Sequence, residues 1–293
     1  MAIKKTKSRR VFEVLNALFM MFLMLITIYP ILYIISASFS EPSRFLVHSG
    51  LLWKPLGFTL IAYEKALVHP QIMHSYLNTI MIVVGGVFVS VILTALGAYF
   101  LTRKNVMLQK PLAFLIIFTM FFSGGLIPFY FTVKDVGLLD NLLALILPTA
   151  INTFNLIIMR TGFAAIPDSL EESARIDGAG HITILYRIVL PLAMPTIAVM
   201  VLYYGVSQWN SWFNAMIFID TADKWPLQLV LRQILVMSDT QSMMTGMDAG
   251  SQMAVSETIK YAVIVISTLP ILLVYPFLQK YFVKGVMVGA VKG

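Results

Sequence analysis

Six long apolar runs decide what this chain can become. They lie at roughly 12–38, 76–101, 111–133, 141–160, 191–213 and 259–280. A helix needs about 20 apolar residues to cross a bilayer, and each run comes near or passes that length. The runs are apolar at consecutive positions, whereas a membrane-barrel strand alternates over about ten residues. Helices are therefore expected, because a helix satisfies its own backbone groups in lipid. Composition agrees: 59% of the 293 residues are apolar and only 12% charged. Soluble domains average roughly 45–50% and 25%. The mean hydropathy of +0.85 points the same way. A soluble enzyme and a disordered chain are both excluded. The sequence has no Cys, which removes disulfides, thiol chemistry and Cys-based zinc sites. Its four His are scattered, so no metal and no cofactor is expected.

The first run follows Lys4, Lys5, Lys7, Arg9 and Arg10, and Ser36-Ala37-Ser38 resembles a cleavage site. A signal core spans only about 7–15 residues. This run is longer, so it reads as an uncleaved first membrane helix.

Charge sets the orientation. With six spans, 14 Lys and Arg fall on the side of the N-terminus and 7 on the other. Positive residues favour the cytoplasm, so both termini are expected there. The net charge of +7 is then a topology signal, with no indication of nucleic-acid binding.

Three segments between spans are long. Residues 39–75 face outward and include an amphipathic stretch from Phe58 to Leu67. Residues 214–258 also face outward and are rich in Met, Gln, Ser and Asp. Residues 161–190 face inward and carry the most informative pattern. There, Ile166 to Pro195 reads as a short helix, a turn and a second short helix. Asp168 with Glu171, or Ser169 with Glu172, has capping-box spacing. Gly178 and Gly180 allow a left-handed stop. Leu170, Ala174 and Ala179 leave a mostly small surface, and Pro191 is expected to end the second helix and open the next span. Connections in helix bundles usually run about 2–8 residues. A longer, acid-bearing hairpin suits a grip by another subunit, whose Arg can meet the acids.

The hairpin also carries a resemblance. Glu172-Ser173-Ala174, Asp177-Gly178-Ala179 and Ile188-Val189-Leu190-Pro191 resemble the EAA motif of ATP-binding cassette (ABC) importer permeases, with Ser173 in place of the first Ala. Trp209-Asn210-Ser211-Trp212-Phe213 and Lys224-Trp225-Pro226-Leu227-Gln228 are similar to the carbohydrate branch. So are Tyr76-Leu77-Asn78-Thr79 and the tail Gly289-Ala290-Val291-Lys292-Gly293. Within the maltose-type group the likeness is to second permeases for polysaccharide-derived oligosaccharides, such as pectin or alginate fragments.

The resemblance implies an all-α polytopic membrane bundle of six transmembrane helices, the type I ABC importer permease fold. It implies a bacterial cytoplasmic membrane location. Three parts are expected. Residues 1–75 hold an N-terminal segment, the first span and an outer loop. Residues 76–280 form the transmembrane core with the coupling hairpin 166–190, and 281–293 form a cytoplasmic tail that reaches the ATPases. Partners implied are a homologous second permease, two cytoplasmic ATPase subunits, an extracytoplasmic solute-binding protein and an oligosaccharide. No phosphate-cradling Gly-x-x-x-x-Gly-Lys-Ser/Thr is present, so ATP hydrolysis belongs to the partners and no catalytic residue is assigned.

Residue roles follow. Glu171, Glu172, Ser173, Ala174, Arg175, Asp177, Gly178 and Ala179 are the ATPase-coupling candidates, with Glu172 as the charge contact and Ala174 on the small face. Polar groups inside spans are costly and often functional. Asn78, Asn152, Asn155, Tyr204, Gln208, Trp209, Asn210 and Trp212 are thus the substrate-pathway candidates, with Tyr203, Ser207 and Asn214 beside them. The same residues also suit helix–helix bonding or an interfacial aromatic belt. Asp220, Asp223, Lys224 and Trp225 are candidates for meeting the binding protein, together with Met237, Met243, Met244, Met247 and Met253.

Other functions stay open: a permease for another small solute, or an ion-coupled secondary carrier. A carrier wants an ionisable group in mid-span, and such groups are nearly absent. A membrane enzyme lacks a His cluster or carboxylate pair to work with.

Overall fold

The computed structural model describes the backbone of residues 7–103, 106–244 and 250–290, with side chains to residue 236, at 255–274 and at 276. Among the described residues all regular elements are helical, and one isolated bridge joins Ser40 to Phe58. The chain divides into two compact units, Met1–His69 with Gln233–Thr268, and Pro70–Arg232 with Leu269–Gly293.

In the first unit, α1 (Lys7–Ser38) is 32 residues long and buries only Ser36, Ala37 and Ser38. Its large apolar side chains are exposed around the whole circumference, which suits lipid and not water. The short α2 (Pro42–Leu46) starts on a proline, as a first turn tolerates. Helix α3 (Ile61–Val68) occupies most of the expected amphipathic stretch and buries Ala62 and Ala66. A small core gathers Ala37, Phe45 and Leu52 with Tyr33 and Tyr261. The ring centroids of Phe45 and Tyr261 are 5.4 Å apart, edge to face.

The second unit is built on α4 (Pro70–Thr102). The next apolar run does not form one rod. It splits into α5 (Gln109–Phe118) and α6 (Leu126–Asp135). The break runs from Thr119 to Gly125, and Gly125 takes φ +87° at its end. The fourth run is α7 (Leu143–Ile146), a 3-10 turn containing Pro148, and α8 (Thr153–Ala164). The two halves bend by 55°.

The hairpin consists of α9 (Asp168–Ile176), α10 (His181–Ile184), a π-turn (Leu185–Val189) and α11 (Leu190–Leu192). Then α12 (Met194–Trp209) leaves at 83° to the preceding helix. Pro191 therefore does not end the second hairpin helix as expected. It sits inside α11, and the corner falls at Ala193. Proline lacks the N–H and its ring crowds the preceding turn, and the turn before it is the widened π-turn. Pro195 opens α12, where a missing N–H costs nothing. Short α13 (Phe213–Phe218), α14 (Leu227–Met244) and α15 (Gly250–Ala290) follow.

Among the described residues, three helices are long and apolar enough to span a membrane, Lys7–Ser38, Pro70–Thr102 and Val255–Val274, and counting each bent pair as one span makes up to five. The split run 111–133 stands apart from these.

Helix α4 packs along α8 and α12. Near its C-terminal end, Ala95, Ala98 and Tyr99 meet Met159 and Phe163 of α8 and Met200 of α12. Near its N-terminal end, Ile82 joins Leu145, Ala215, Phe218 and Leu229 in a second cluster. Lipid offers no hydrophobic drive between helices, so close packing and polar contacts must hold them. Gly162 lies against Thr196, and Gly86 against the Gln208 amide.

Candidate coupling hairpin and pathway residues

Helix α9 begins at Asp168, with Pro167 in the cap position and no side-chain cap bond. The expected capping box does not form. Asp168 and Ser169 are already helical, so neither stands where a cap must stand. Glu171, the expected reciprocal partner, turns the other way. It is buried and forms an ion pair with Arg103, just past the end of α4.

Arg103 is held from several sides. Its guanidinium carbon lies 4.3 Å from the Tyr99 ring centroid. Its Nη2 donates to Thr102 Oγ1 at 2.9 Å. Tyr99 Oη in turn lies 3.2 Å from Nδ1 of His181, the first residue of α10. Burial draws the Arg103 pKa below the usual guanidinium value, and Tyr99 opposes this. The group remains a cation even so. One cluster thus ties the end of α4 to both helices of the hairpin.

The turn follows from sequence directly. The Ala179 N–H donates to the Ala174 carbonyl at 2.9 Å, and the Gly178 N–H to that of Arg175 at 3.0 Å. This is a Schellman stop. It needs a left-handed residue, and Gly178 supplies it with φ +81°. Gly180 does not share that role as expected: its φ is −75° and it caps α10. Asp177 is the last cap residue, its N–H bonded to the Ser173 carbonyl.

The expected small surface divides, with Leu170 exposed and the two alanines turned the other way. Ala174 and Ala179 pack against the inner core. Because α9 lies on the bundle, its small residues let it approach closely there. Outward stand Glu172, Ser173, Arg175, Asp177 and Ile176. Ile176 is 87% exposed, and the sequence reading passed over it. Its position off the Leu170–Ala174 line of a 3.6-residue helix was the available signal.

The pathway candidates do not converge on one cavity. Asn78 is buried and donates from Nδ2 to the carbonyls of Asp223 (2.6 Å) and Trp225 (3.2 Å). Thr79 accepts the Leu227 N–H at 2.8 Å. Asn152 caps α8 by accepting the Asn155 N–H at 3.1 Å, and Asn155 is buried. Tyr204 Oη accepts the Asn152 N–H at 3.1 Å and shares a 2.7 Å bond with Thr94. Gln208 is buried, and neither of its amide atoms has a hydrogen-bond partner; nor has Ser90 Oγ. Trp209 meets Tyr76 edge to face at 5.8 Å. The helix stops at Trp209 instead of running on to 213, and Asn210 bonds back to the Val206 carbonyl at 2.9 Å. Trp212 lies beneath Arg232, 4.5 Å from ring centroid to guanidinium carbon. Tyr203 and Ser207 are exposed and Asn214 is half-buried. An apolar groove of about 710 Å³ along α4 and α12 takes in Trp209 alone of these residues.

At the end of α4 opposite the hairpin, Asp140 is a hub that the sequence reading missed. Its carboxylate accepts from the Thr221 N–H (2.9 Å), Thr221 Oγ1 (2.7 Å) and Lys224 Nζ (2.6 Å). The Lys224 contact, followed by the Thr221 donors, holds this carboxyl well below the usual range. Asp140 has φ +53°, a conformation that Asp tolerates better than most residues. Lys224 is therefore engaged internally. So is Trp225, whose Nε1 donates to the Ile219 carbonyl at 3.0 Å. Asp220 and Asp223 present exposed side chains. The side chains of Met237, Met243, Met244 and Met253, Met247 entirely, and the side chains of the tail lie outside the described residues.

The fold and hairpin define a class. Residues 106–288 match the family of binding-protein-dependent transport system inner membrane components. The chain belongs to that family and is a membrane-embedded permease of an ABC importer. It is 45% identical over 285 residues to the polygalacturonan/rhamnogalacturonan transport system permease protein YtcP of Bacillus subtilis, covering 97% of this chain and 99% of that one. It is 46% identical over 288 residues to protein LplC of the same organism, covering 98% and 97%. A solved relative comes from the crystal structure of a bacterial ABC transporter involved in the import of the acidic polysaccharide alginate. There the TM-score is 0.87 at 35% identity, over 96% of this chain and all of that one.

Proposed function

We propose that this permease forms half of the membrane channel of an importer for acidic oligosaccharides, fragments of pectic or alginate-type polysaccharides. A homologous second permease completes the channel. Two cytoplasmic ATPase subunits drive it, and an extracytoplasmic binding protein delivers the sugar. Both termini and the hairpin 166–190 face the cytoplasm, in keeping with the excess of Lys and Arg on that side. Residues 76–280 make the translocating core.

The observation that carries the coupling role is the division of labour in α9. Glu171 turns inward and bonds to Arg103 at the end of α4, while Glu172 stands exposed on the outer face of the same helix. An exposed acid on a firmly anchored helix suits an Arg in a partner's cleft. A push on α9 then reaches α4, and through α4 reaches α8 and α12. Substrate class rests on the relatives: YtcP is described for polygalacturonan/rhamnogalacturonan and the solved neighbour for alginate.

Glu172→Lys tests the docking. Membrane abundance of the variant is expected to match wild type, while uptake falls to background and the ATPase subunits no longer co-purify. Uptake at the normal rate would end this reading.

A further inference from the structure

We infer that Arg232, laid over Trp212, is a binding site for the carboxylate of a uronic acid residue in the passing oligosaccharide. This rests on the acidic-sugar reading above and adds the residues that recognise the acid. On the outward side the sequence offers two arginines, Arg44 and Arg232. Arg44 is paired, its Nε 2.7 Å from Glu41. Lys224 and Lys260 are likewise engaged, with Asp140 and Glu257. Arg232 is exposed, and among the described residues no carboxylate lies within ion-pair range of it.

Its placement is nevertheless fixed. The Trp212 ring holds the guanidinium carbon at 4.5 Å, and Nη1 points to the Met216 sulfur at 3.4 Å. A cation over an aromatic face is attracted by the ring's charge distribution and spends none of its N–H donors. A thioether is a weak acceptor. The planar fork is thus oriented and weakly hydrated, with N–H donors left for a carboxylate. Arginine meets carboxylates through two parallel hydrogen bonds, which a lysine cannot copy. Gln228 lies one turn earlier on the same face of α14, at i and i+4. Its amide both donates and accepts, as sugar hydroxyls require. Trp212 in this arrangement is a positioning residue for Arg232 and not a stacking platform for sugar.

The test uses the complete assembly in proteoliposomes: both permeases, the ATPases and the binding protein. Uptake is measured for trigalacturonate and for its fully methyl-esterified form, in wild type, Arg232→Gln, Arg232→Lys and Trp212→Leu. Wild type is expected to prefer the free acid. Arg232→Gln is expected to raise the KM for the acid about tenfold, the cost of one charged hydrogen-bonding contact, and leave the ester unchanged. Arg232→Lys recovers only part, and Trp212→Leu resembles Arg232→Gln in weaker form. If wild type prefers the acid and Arg232→Gln keeps that preference, the inference fails while the acidic-sugar reading stands. If wild type favours neither ligand, that reading fails and the inference with it. If Arg232→Gln weakens both ligands equally and lowers the affinity for the binding protein, Arg232 contacts that protein instead, and the inference is overturned.

Discussion

At the residue scale, the Arg103–Glu171 pair separates anchoring from docking. Both side chains are only about a tenth exposed, at 12% and 10%, so neither is readily rehydrated. Removing one partner of such a pair leaves a buried uncompensated charge and costs about 3–5 kcal/mol. Glu171→Gln is expected to lower the thermal midpoint of the detergent-purified protein. In the assembled importer it should also reduce sugar moved per ATP hydrolysed, because α9 would slip against α4. Arg103→Glu combined with Glu171→Arg should recover much of both. A double variant no better than the singles would show that the pair does not join hairpin to span. The acids of α9 are plain in the sequence, and so is the Gly178 stop. Which acid faces inward was not. Spacing made Glu171 a capping residue, and only the nearness of Arg103, 68 positions earlier in the chain, turned it into a strut.

At the element scale, bends and close contacts do what straight rods cannot. The 83° corner at Ala193 changes the hairpin's direction into α12. Beside it, α8 and α12 touch where Gly162 faces Thr196. A Cβ on Gly162 would lie 2.7 Å from Thr196 Cγ2 and 2.9 Å from its Cβ. A β-branched side chain has little freedom to yield. Gly162→Ala should therefore destabilise the protein by about 1–3 kcal/mol, the usual cost of overpacking, read as a lower thermal midpoint. Adding Thr196→Ala should return part of it. An unchanged midpoint in the single variant would mean the helices part at no cost. Hydropathy located the apolar runs. It did not foresee the split from Thr119 to Gly125 or the early stop of α12 at Trp209, because an apolar run has the same hydropathy whether or not its axis is continuous.

At the scale of the whole molecule, the proposed topology puts Lys54 outside the membrane and the hairpin inside. The natural absence of Cys makes this testable with single introduced thiols. Lys54→Cys in intact spheroplasts is expected to react with a membrane-impermeant maleimide. Arg175→Cys should react only after permeabilisation. Labelling of both in sealed cells would refute the six-span arrangement with the hairpin inside. Hydropathy, the charge bias and the hairpin motif were sufficient to read a helical membrane permease from the chain alone, since lipid permits few backbone solutions and the motif is local. The candidate pathway was less legible. Asn78, Asn152 and Tyr204 look alike in sequence as polar groups in apolar surroundings, yet their donors and acceptors meet partners up to 147 positions away. Such pairing is a property of helices packed in space. Tertiary structure alone could therefore decide which polar groups bind helix to helix, and that Arg232 rests on Trp212.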